Sequence, residues 1–183
     1  MSTRPLPSLV VLDLETTGLD PAVHEILEIG AVRVPVDLSS VRAEFSAKVR
    51  PEHIENADPD GLKVNGYSAE AWKDARPCPE VVREFVQFAQ GGMLAGFNVA
   101  FDWAFLARAL DLKNRPDPWP FDYHIFDVFS VAYHRAIASN VPMTKWTLSA
   151  FCEQYGIPVP PKPHRALNDA KRTLELLRAL QQA

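Results

Sequence analysis

The chain has 183 residues, 47% of them hydrophobic, which is enough to bury one substantial core but not two. Nineteen Lys and Arg against 23 Asp and Glu leave a formal net charge of −4, so any affinity for nucleic acid must come from a local site. No apolar run approaches the roughly 20 residues of a membrane span, and no signal peptide precedes the first strand, so we expect one soluble cytoplasmic domain over residues 1–183 (core about 8–181) with no membrane contact.

The first predicted elements are three strands. Residues 9–14 are apolar except for Asp13, which predicts a buried central strand that ends at the turn 16–18. Residues 26–36 and 41–49 are the next two strand candidates. Three strands in succession favour an antiparallel meander.

Helices dominate the chain after this meander. Residues 50–66 are polar and rich in turn formers, so we expect a surface connection there. Residues 68–75 are a short helix candidate, and 79–89 are a better one, with Pro79 at its start and glycines after its end.

Strand–helix units follow. Residues 93–97 predict a strand, with Asn98 as the N-cap of a helix over 99–112. Residues 124–126 predict another strand, with Asp127 as the N-cap of a helix to about residue 138.

The last two predicted helices cover residues 147–155 and 165–181. The whole order predicts an α/β fold in which a mixed sheet, a three-stranded antiparallel meander plus parallel strands, carries helices packed on it. Cys78 and Cys152 lack metal-ligand spacing, so we expect two free thiols rather than zinc or a disulfide.

Two carboxylates stand at the end of the first strand. Asp13 and Glu15 are two residues apart, so their side chains share one face. Burying two like charges raises their pKa values until one is protonated, or requires a cation. The alternative is that one of them only caps the following turn.

Asp102 lies at the start of a helix that has almost no other polar side chains. Its helical neighbours Phe105, Leu106 and Ala109 are apolar, so we expect Asp102 on the packed face. The helix dipole alone also favours an acid in a first turn, but it does not explain the apolar neighbours.

Asp169 falls near the edge of the apolar side of the last helix at 100° per residue. The polar arc of this helix is expected to be solvated; it contains Asn168, Lys171, Arg172, Glu175, Arg178 and Gln182. Asp169 is therefore predicted to point inward.

Four inward acids with no Cys and little His favour hard cations such as Mg²⁺ or Mn²⁺ over Zn²⁺. A two-metal site that supports in-line displacement at phosphorus is the resulting hypothesis. His164, five residues before Asp169, is a candidate general base, although a lone loop histidine is more often a surface residue.

These residues resemble a known family, the DEDDh group of DnaQ-like 3′-to-5′ exonucleases, which includes proofreading subunits, ribonuclease T and oligoribonucleases. The resemblance is carried by three motifs in the family's order: Asp-Leu-Glu-Thr-Thr-Gly-Leu-Asp at 13–20, Asn98-x-x-Phe101-Asp102, and His164-x4-Asp169. It implies an RNase H-like fold and a single exonuclease domain.

The resemblance also implies roles for the site residues. Asp13 would bridge two divalent ions, Glu15 and Asp169 would complete the nucleophile-side ion, and Asp102 would support the other through water. His164 would be the general base, and the products would be nucleoside 5′-monophosphates.

The expected substrate is a single-stranded or frayed 3′ end of DNA or RNA. By the same resemblance, the backbone of Thr16, Thr17 and Gly18 contacts the terminal 3′-hydroxyl, and Leu19 wedges against the terminal bases. Phe101 or Phe97 is a candidate for stacking on a base, with helix packing as the alternative.

One departure concerns residue 97, which is Phe where many relatives have His, so substrate preference does not transfer. The last helix ends near Ala183, which favours action without a C-terminal tether to a polymerase and leaves a polymerase partner as an alternative. A local positive rim is expected from Lys145, Lys162, Arg165 and Lys171.

Two rival hypotheses remain. A non-catalytic module with the same fold would hold a 3′ end or serve a polymerase without cutting. An endonuclease of the wider RNase H-like group would cut without a free 3′ end.

Overall fold

The computed structural model describes residues 6–110, 119–160 and 163–182. It contains a six-stranded sheet in the order β4-β3-β2-β1-β5-β6. The strands are β1 (Leu9–Thr16), β2 (Ile26–Val34), β3 (Ala43–Arg50), β4 (Arg76–Pro77), β5 (Met93–Gly96) and β6 (Ile125–Asp127).

The predicted mixed sheet is confirmed. β1, β2 and β3 form an antiparallel meander, and β5 and β6 add on the other side of β1 in parallel pairing. β1 is thus a central strand, which accounts for its nearly continuous apolar sequence.

In the described part of the chain, six α-helices cover the sheet: α1 (Pro59–Asn65), α2 (Cys78–Ala89), α3 (Val99–Ala109), α4 (Val128–Ala138), α5 (Leu148–Gln154) and α6 (Ala166–Gln182). One apolar cluster joins α2 and α3 to the face of β1 that carries Leu12 and Leu14. A second cluster joins α4, α5 and α6 to the opposite face, which carries Val11. Within the described segments, no helix is long and apolar enough to cross a membrane.

Two predictions in the middle of the chain are wrong. Residues 50–66 are more than a connection, because α1 forms there, with Asp58 as its side-chain cap and Gly66 in the left-handed region at φ 62°. Residues 69–74 form turns rather than a helix. The indole of Trp72 is buried in these turns and donates to Leu27 O at 3.0 Å, so a tertiary contact replaces the helix.

Other boundaries shift by a few residues. β1 runs two residues further than predicted, to Thr16. α3 ends at Ala109, and the end of the predicted helix at 111–112 lies outside the described residues. The predicted caps also differ: Asp127 caps α4 through Ser130 N, but the Asn98 side chain makes no capping hydrogen bond.

Candidate active site

Asp13 and Glu15 occupy the last half of β1. They alternate with Leu12 and Leu14, whose side chains belong to the core on the other face. Glu15 is buried, and Asp13 is partly buried. Both carboxylates therefore lie on the sheet face that α6 covers, as the two-residue spacing predicts.

Gly30 on β2 lies opposite Asp13 and brings α6 onto this face. A Cβ at Gly30 would lie 2.0 Å from Leu167 N and 2.2 Å from Ala166 C. Only a glycine therefore lets the first turn of α6 rest on the sheet beside Asp13. Sequence reasoning missed this residue, although a glycine inside an apolar strand was an available signal.

Asp102 reaches the same cluster from the first turn of α3. Its side chain is buried, and its Oδ1 accepts a hydrogen bond from Leu14 N at 2.9 Å. Asp127 Oδ1 accepts from Asn98 N at 2.8 Å and from Val99 N at 3.3 Å, which supplies the cap that Asn98 itself does not. Contacts from β1 and β6, the strands on either side of β5, thus fix the start of α3 and, with it, Asp102.

Asp169 and His164 form the third part of the site. His164 Nδ1 lies 2.8 Å from Asp169 Oδ2, and Asp169 is buried while His164 is partly exposed. These two residues, five positions apart in the sequence, are thus in direct contact.

α1 holds this segment against the first motif. His164 N donates to Val64 O at 3.2 Å, and Arg165 Nη1 donates to Asn65 O at 2.7 Å. The buried amide of Asn65 donates to Thr16 O at 2.7 Å. Residues 50–66, which were predicted to be a surface connection, therefore link the turn after β1 to the His164 segment.

Burial and mutual repulsion raise the pKa values of the acids. Burial, followed by Asp102, Glu15 and Asp169, holds the pKa of Asp13 well above its usual range. Burial, with Asp169 next, raises the pKa of Glu15 to about 8, and burial raises that of Asp102 to about 8. Arg172 acts in the opposite direction on the pKa of Asp13, and Arg165 on that of Glu15, but neither cation offsets burial and repulsion.

The donor set fits a hard divalent cation. Ligand atoms of Glu15, His164 and Asp169 lie within 4.8 Å of one another. Glu15 Oε1 is buried without a hydrogen-bond partner among the described residues, so it is available to an ion. Carboxylate oxygens crowded in this way match Mg²⁺ or Mn²⁺.

Among the residues expected to bind substrate, the two threonines serve the turn after β1. Thr16 Oγ1 donates to Gly18 O at 2.7 Å, and Thr17 Oγ1 accepts from Glu25 N at 2.8 Å. Thr17 N and O are also paired, with Glu25 O and Asp58 N. The hydrogen-bonding groups of Thr17 thus shape the turn.

Leu19 and Phe101 differ in exposure. The Leu19 side chain is 77% exposed at the tip of the turn, so it is accessible to a ligand. Phe101 is partly buried, with its ring centroid 5.0 Å from that of Phe105. Phe97 packs against Phe129 and Phe151 at 5.5 and 5.8 Å, so it belongs to the core.

Two charged residues near the site were not predicted there. Glu28 on β2 lies opposite Glu15 and is buried, and burial raises its pKa. Arg172 was assigned to the solvated arc of α6 but is 6% exposed and donates to Asp169 Oδ1. That assignment is wrong because α5 packs against α6 and the charge of Arg172 acts on Cys152 of α5, which a helical projection does not reveal.

The predicted positive rim is scattered. Lys145 is exposed, Lys171 pairs with Glu44 at 2.8 Å, and the Arg165 guanidinium lies 5.5 Å from the Trp72 ring centroid. Lys162 lies outside the described residues. Among the three described members, Arg165 is the one whose charge acts on Glu15.

Metal-free protein is expected to lose stability as pH rises. The folded-state pKa values of Glu15 and Asp102 are raised, so their contribution is present below about pH 4 and is lost as pH approaches 8. In EDTA, Tm should fall by on the order of 10 °C between pH 5 and pH 9. Thermal melts with Mg²⁺ should show a much flatter profile, and equal slopes with and without Mg²⁺ would contradict the cluster as a cation site.

Comparisons with known proteins agree with this geometry. A family model described as exonuclease, RNase_T, matches residues 10–177. DNA polymerase III subunit epsilon of Escherichia coli (strain K12) is 30% identical over 178 residues, which cover 93% of the chain and 70% of that protein. DNA polymerase III PolC-type of Thermotoga petrophila is 31% identical over 169 residues, but the chain spans only 11% of its length.

The fold is also found in solved structures. The nuclease domain of 3′hExo, described as a DEDDh family member bound to rAMP, has a TM-score of 0.71 at 20% identity. The match covers 100% of the chain and 96% of that domain. At this identity the likeness supports the architecture alone.

Proposed function

Since the chain belongs to the RNase_T exonuclease family, we propose that it is a 3′-to-5′ exonuclease that releases nucleoside 5′-monophosphates from DNA or RNA. Two Mg²⁺ or Mn²⁺ ions would be held by Asp13, Glu15, Asp102 and Asp169, with His164 as general base. A cytoplasmic location, as expected from the sequence, belongs to the same proposal.

The observation that carries the proposal is the meeting of acids from three remote segments. β1, α3 and α6 each contribute buried or partly buried carboxylates, and the charges of Asp102, Glu15 and Asp169 all act on Asp13. Such crowding is unfavourable for folding unless a cation is bound. A catalytic site that binds cations accounts for this unfavourable arrangement of acids.

Divalent ions in this cluster would supply positive charge to the attacking and leaving oxygens of an in-line displacement at phosphorus. Glu15 and Asp169 would hold this charge near the nucleophile, Asp102 would hold it near the leaving oxygen, and Asp13 would serve both. The hydrogen bond from Leu14 N fixes Asp102 Oδ1 and leaves its second oxygen for binding.

His164 is suited to take a proton from an attacking water. When Nδ1–H donates to Asp169 Oδ2, the lone pair lies on Nε2, which has no hydrogen-bond partner among the described residues. The carboxylate also stabilises the imidazolium formed by proton transfer. Asp169 would thus orient the base as well as bind an ion.

Substrate contacts are assigned to the exposed turn after β1. Leu19 would press against the terminal base from its exposed position, and Phe101 would offer a ring face. Gly18 lies beside Thr16, whose hydroxyl binds its carbonyl, so the backbone there is held in one conformation.

Replacing His164 with Gln is expected to lower kcat by roughly 10²-fold at neutral pH with little change in KM. The reason is that this side chain would transfer a proton but would not bind the nucleic-acid substrate. Release of mononucleotides at saturating Mn²⁺ measures this. His134→Gln, on an exposed part of α4, is the matched control. A wild-type kcat in His164→Gln would remove His164 from the mechanism.

The assay that tests the activity uses a 5′-end-labelled oligonucleotide with Mg²⁺, Mn²⁺ or EDTA. Stepwise shortening only with metal supports the proposal, whereas binding without shortening supports the non-catalytic module. A circular single strand must stay intact, since cutting it indicates an endonuclease. Matched DNA and RNA strands then define the substrate, and addition of a polymerase tests for the partner suggested by the relatives' names.

A further inference from the structure

Arg172 is a buried cation one helical turn after Asp169. Its side chain is 6% exposed, and Nη2 donates to Asp169 Oδ1. Nε and Nη1 are also buried, and neither has a hydrogen-bond partner in the described parts of the chain. Most of the donor capacity of this guanidinium is therefore unused.

Burying a guanidinium in this way is unfavourable unless nearby negative charge offsets the lost hydration. The charge of Arg172 acts on Asp13 as well as on Asp169. The other cations of α6 are placed differently: Lys171 pairs with Glu44, and Arg178 donates to Leu38 O at 2.9 Å. Among these three, Arg172 alone faces the acid cluster.

Both carboxylate oxygens of Asp169 have a partner. Arg172 binds Oδ1, and His164 Nδ1 lies 2.8 Å from Oδ2. These two contacts fix the plane of the carboxylate. Each oxygen keeps a second lone pair, so neither contact prevents binding of a cation.

We propose that Arg172 is a resident counter-ion, which binds Asp169 and offsets part of the cluster's negative charge whenever divalent ions are absent. The inference rests on the metal-binding part of the proposed function. Its consequence is that Arg172 and the divalent ions both offset the negative charge of the cluster. Removal of either one should therefore increase the stabilisation that the other gives to the folded protein.

The test compares wild type with Arg172→Met, which keeps the apolar stem and removes the charge. Melts in EDTA should show a Tm lowered by roughly 10 °C, because the acids lose their counter-ion. In saturating Mn²⁺ the difference should shrink to less than half. Calorimetric titration should show Mn²⁺ binding about tenfold more tightly to the variant, since a repelling charge is gone.

Two further variants separate charge from packing. Arg172→Lys keeps the charge and should restore most of the Tm in EDTA and the wild-type affinity for Mn²⁺. Lys171→Met, the adjacent position paired with Glu44, should shift Tm equally with and without Mn²⁺. An Arg172→Met deficit that is the same in EDTA and Mn²⁺, with unchanged Mn²⁺ affinity, would show a packing role and overturn the inference.

The result stays decisive if Arg172→Met does not fold. If Arg172→Met folds only with Mn²⁺, the inference is supported. If it folds in neither condition, the same melts and titrations are made with Arg172→Gln, which keeps a hydrogen-bond donor but no charge. If wild type itself gains no Tm from Mn²⁺, the metal site and the proposed function fail. If wild type responds to Mn²⁺ and the variants do not differ from it, only the role of Arg172 fails.

Discussion

An Asp13→Asn variant is expected to lose exonuclease activity by roughly 10⁴-fold while becoming more stable than wild type in EDTA. Activity falls because Asp13 is the carboxylate assigned to both ions. Stability rises because the pKa of Asp13 is held well above its usual range by burial and by Asp102, Glu15 and Asp169, so a neutral amide relieves repulsion. The two effects have opposite signs, which a simple folding defect cannot produce.

Mononucleotide release at saturating Mn²⁺ and thermal melts in EDTA together measure this prediction. Asp60→Asn is the matched control, because Asp60 is an exposed acid of α1 whose carboxylate pairs with Lys63 on the protein surface. The control should retain both the rate and the Tm of wild type. Activity of Asp13→Asn within tenfold of wild type would sink the assignment of Asp13, and so would a Tm far below that of wild type.

A Gly30→Ala substitution is expected to disable the enzyme without touching a catalytic side chain. The added Cβ would meet Leu167 N at 2.0 Å and Leu167 Cα at 2.5 Å. Backbone atoms cannot rotate away, so the start of α6 must move off β2. Asp169 and His164 move with it, and a displacement of about 1 Å costs roughly 10²-fold in rate.

The same clash should lower Tm by roughly 5–10 °C, as overpacking in a core does. Rate and Tm of Gly30→Ala are compared with those of Gly61→Ala, where the nearest atom to the new Cβ is 3.6 Å away and α1 gains a better helix former. Gly61→Ala should therefore be as active and at least as stable as wild type. A Gly30→Ala protein with wild-type kcat would show that α6 does not need this close approach.

Much of the fold follows from patterns that are local in the chain. The apolar run around Asp13 and the two strands after it predict the meander, because alternation and length are enough to identify strands. Helix caps and breakers also act locally: Asp127 starts α4, and Gly156 follows α5. Residues 69–74 are the counterexample, where a buried indole hydrogen bond outweighs helix propensity.

The acids of the candidate site could be proposed from the sequence because each is a charged residue among apolar neighbours. Asp102 follows an apolar helix start, and Asp169 lies near the apolar side of α6. Their role as candidate metal ligands can therefore be predicted without coordinates. The residues that support these acids cannot be predicted in this way, because the supporting contacts join segments far apart in the chain.

The sequence by itself determined the meander and most of the later strands and helices, though not α1, β4 or the turns at 69–74, and it singled out the candidate acids, since these depend on spacing within single elements. Only the tertiary structure decided that Gly30 admits α6, that Asn65 links Thr16 to the His164 segment, and that Arg172 is buried against Asp169. The physical reason is that close backbone approach and charge compensation are properties of pairs of surfaces. A helical projection or a strand pattern describes only one surface of each pair.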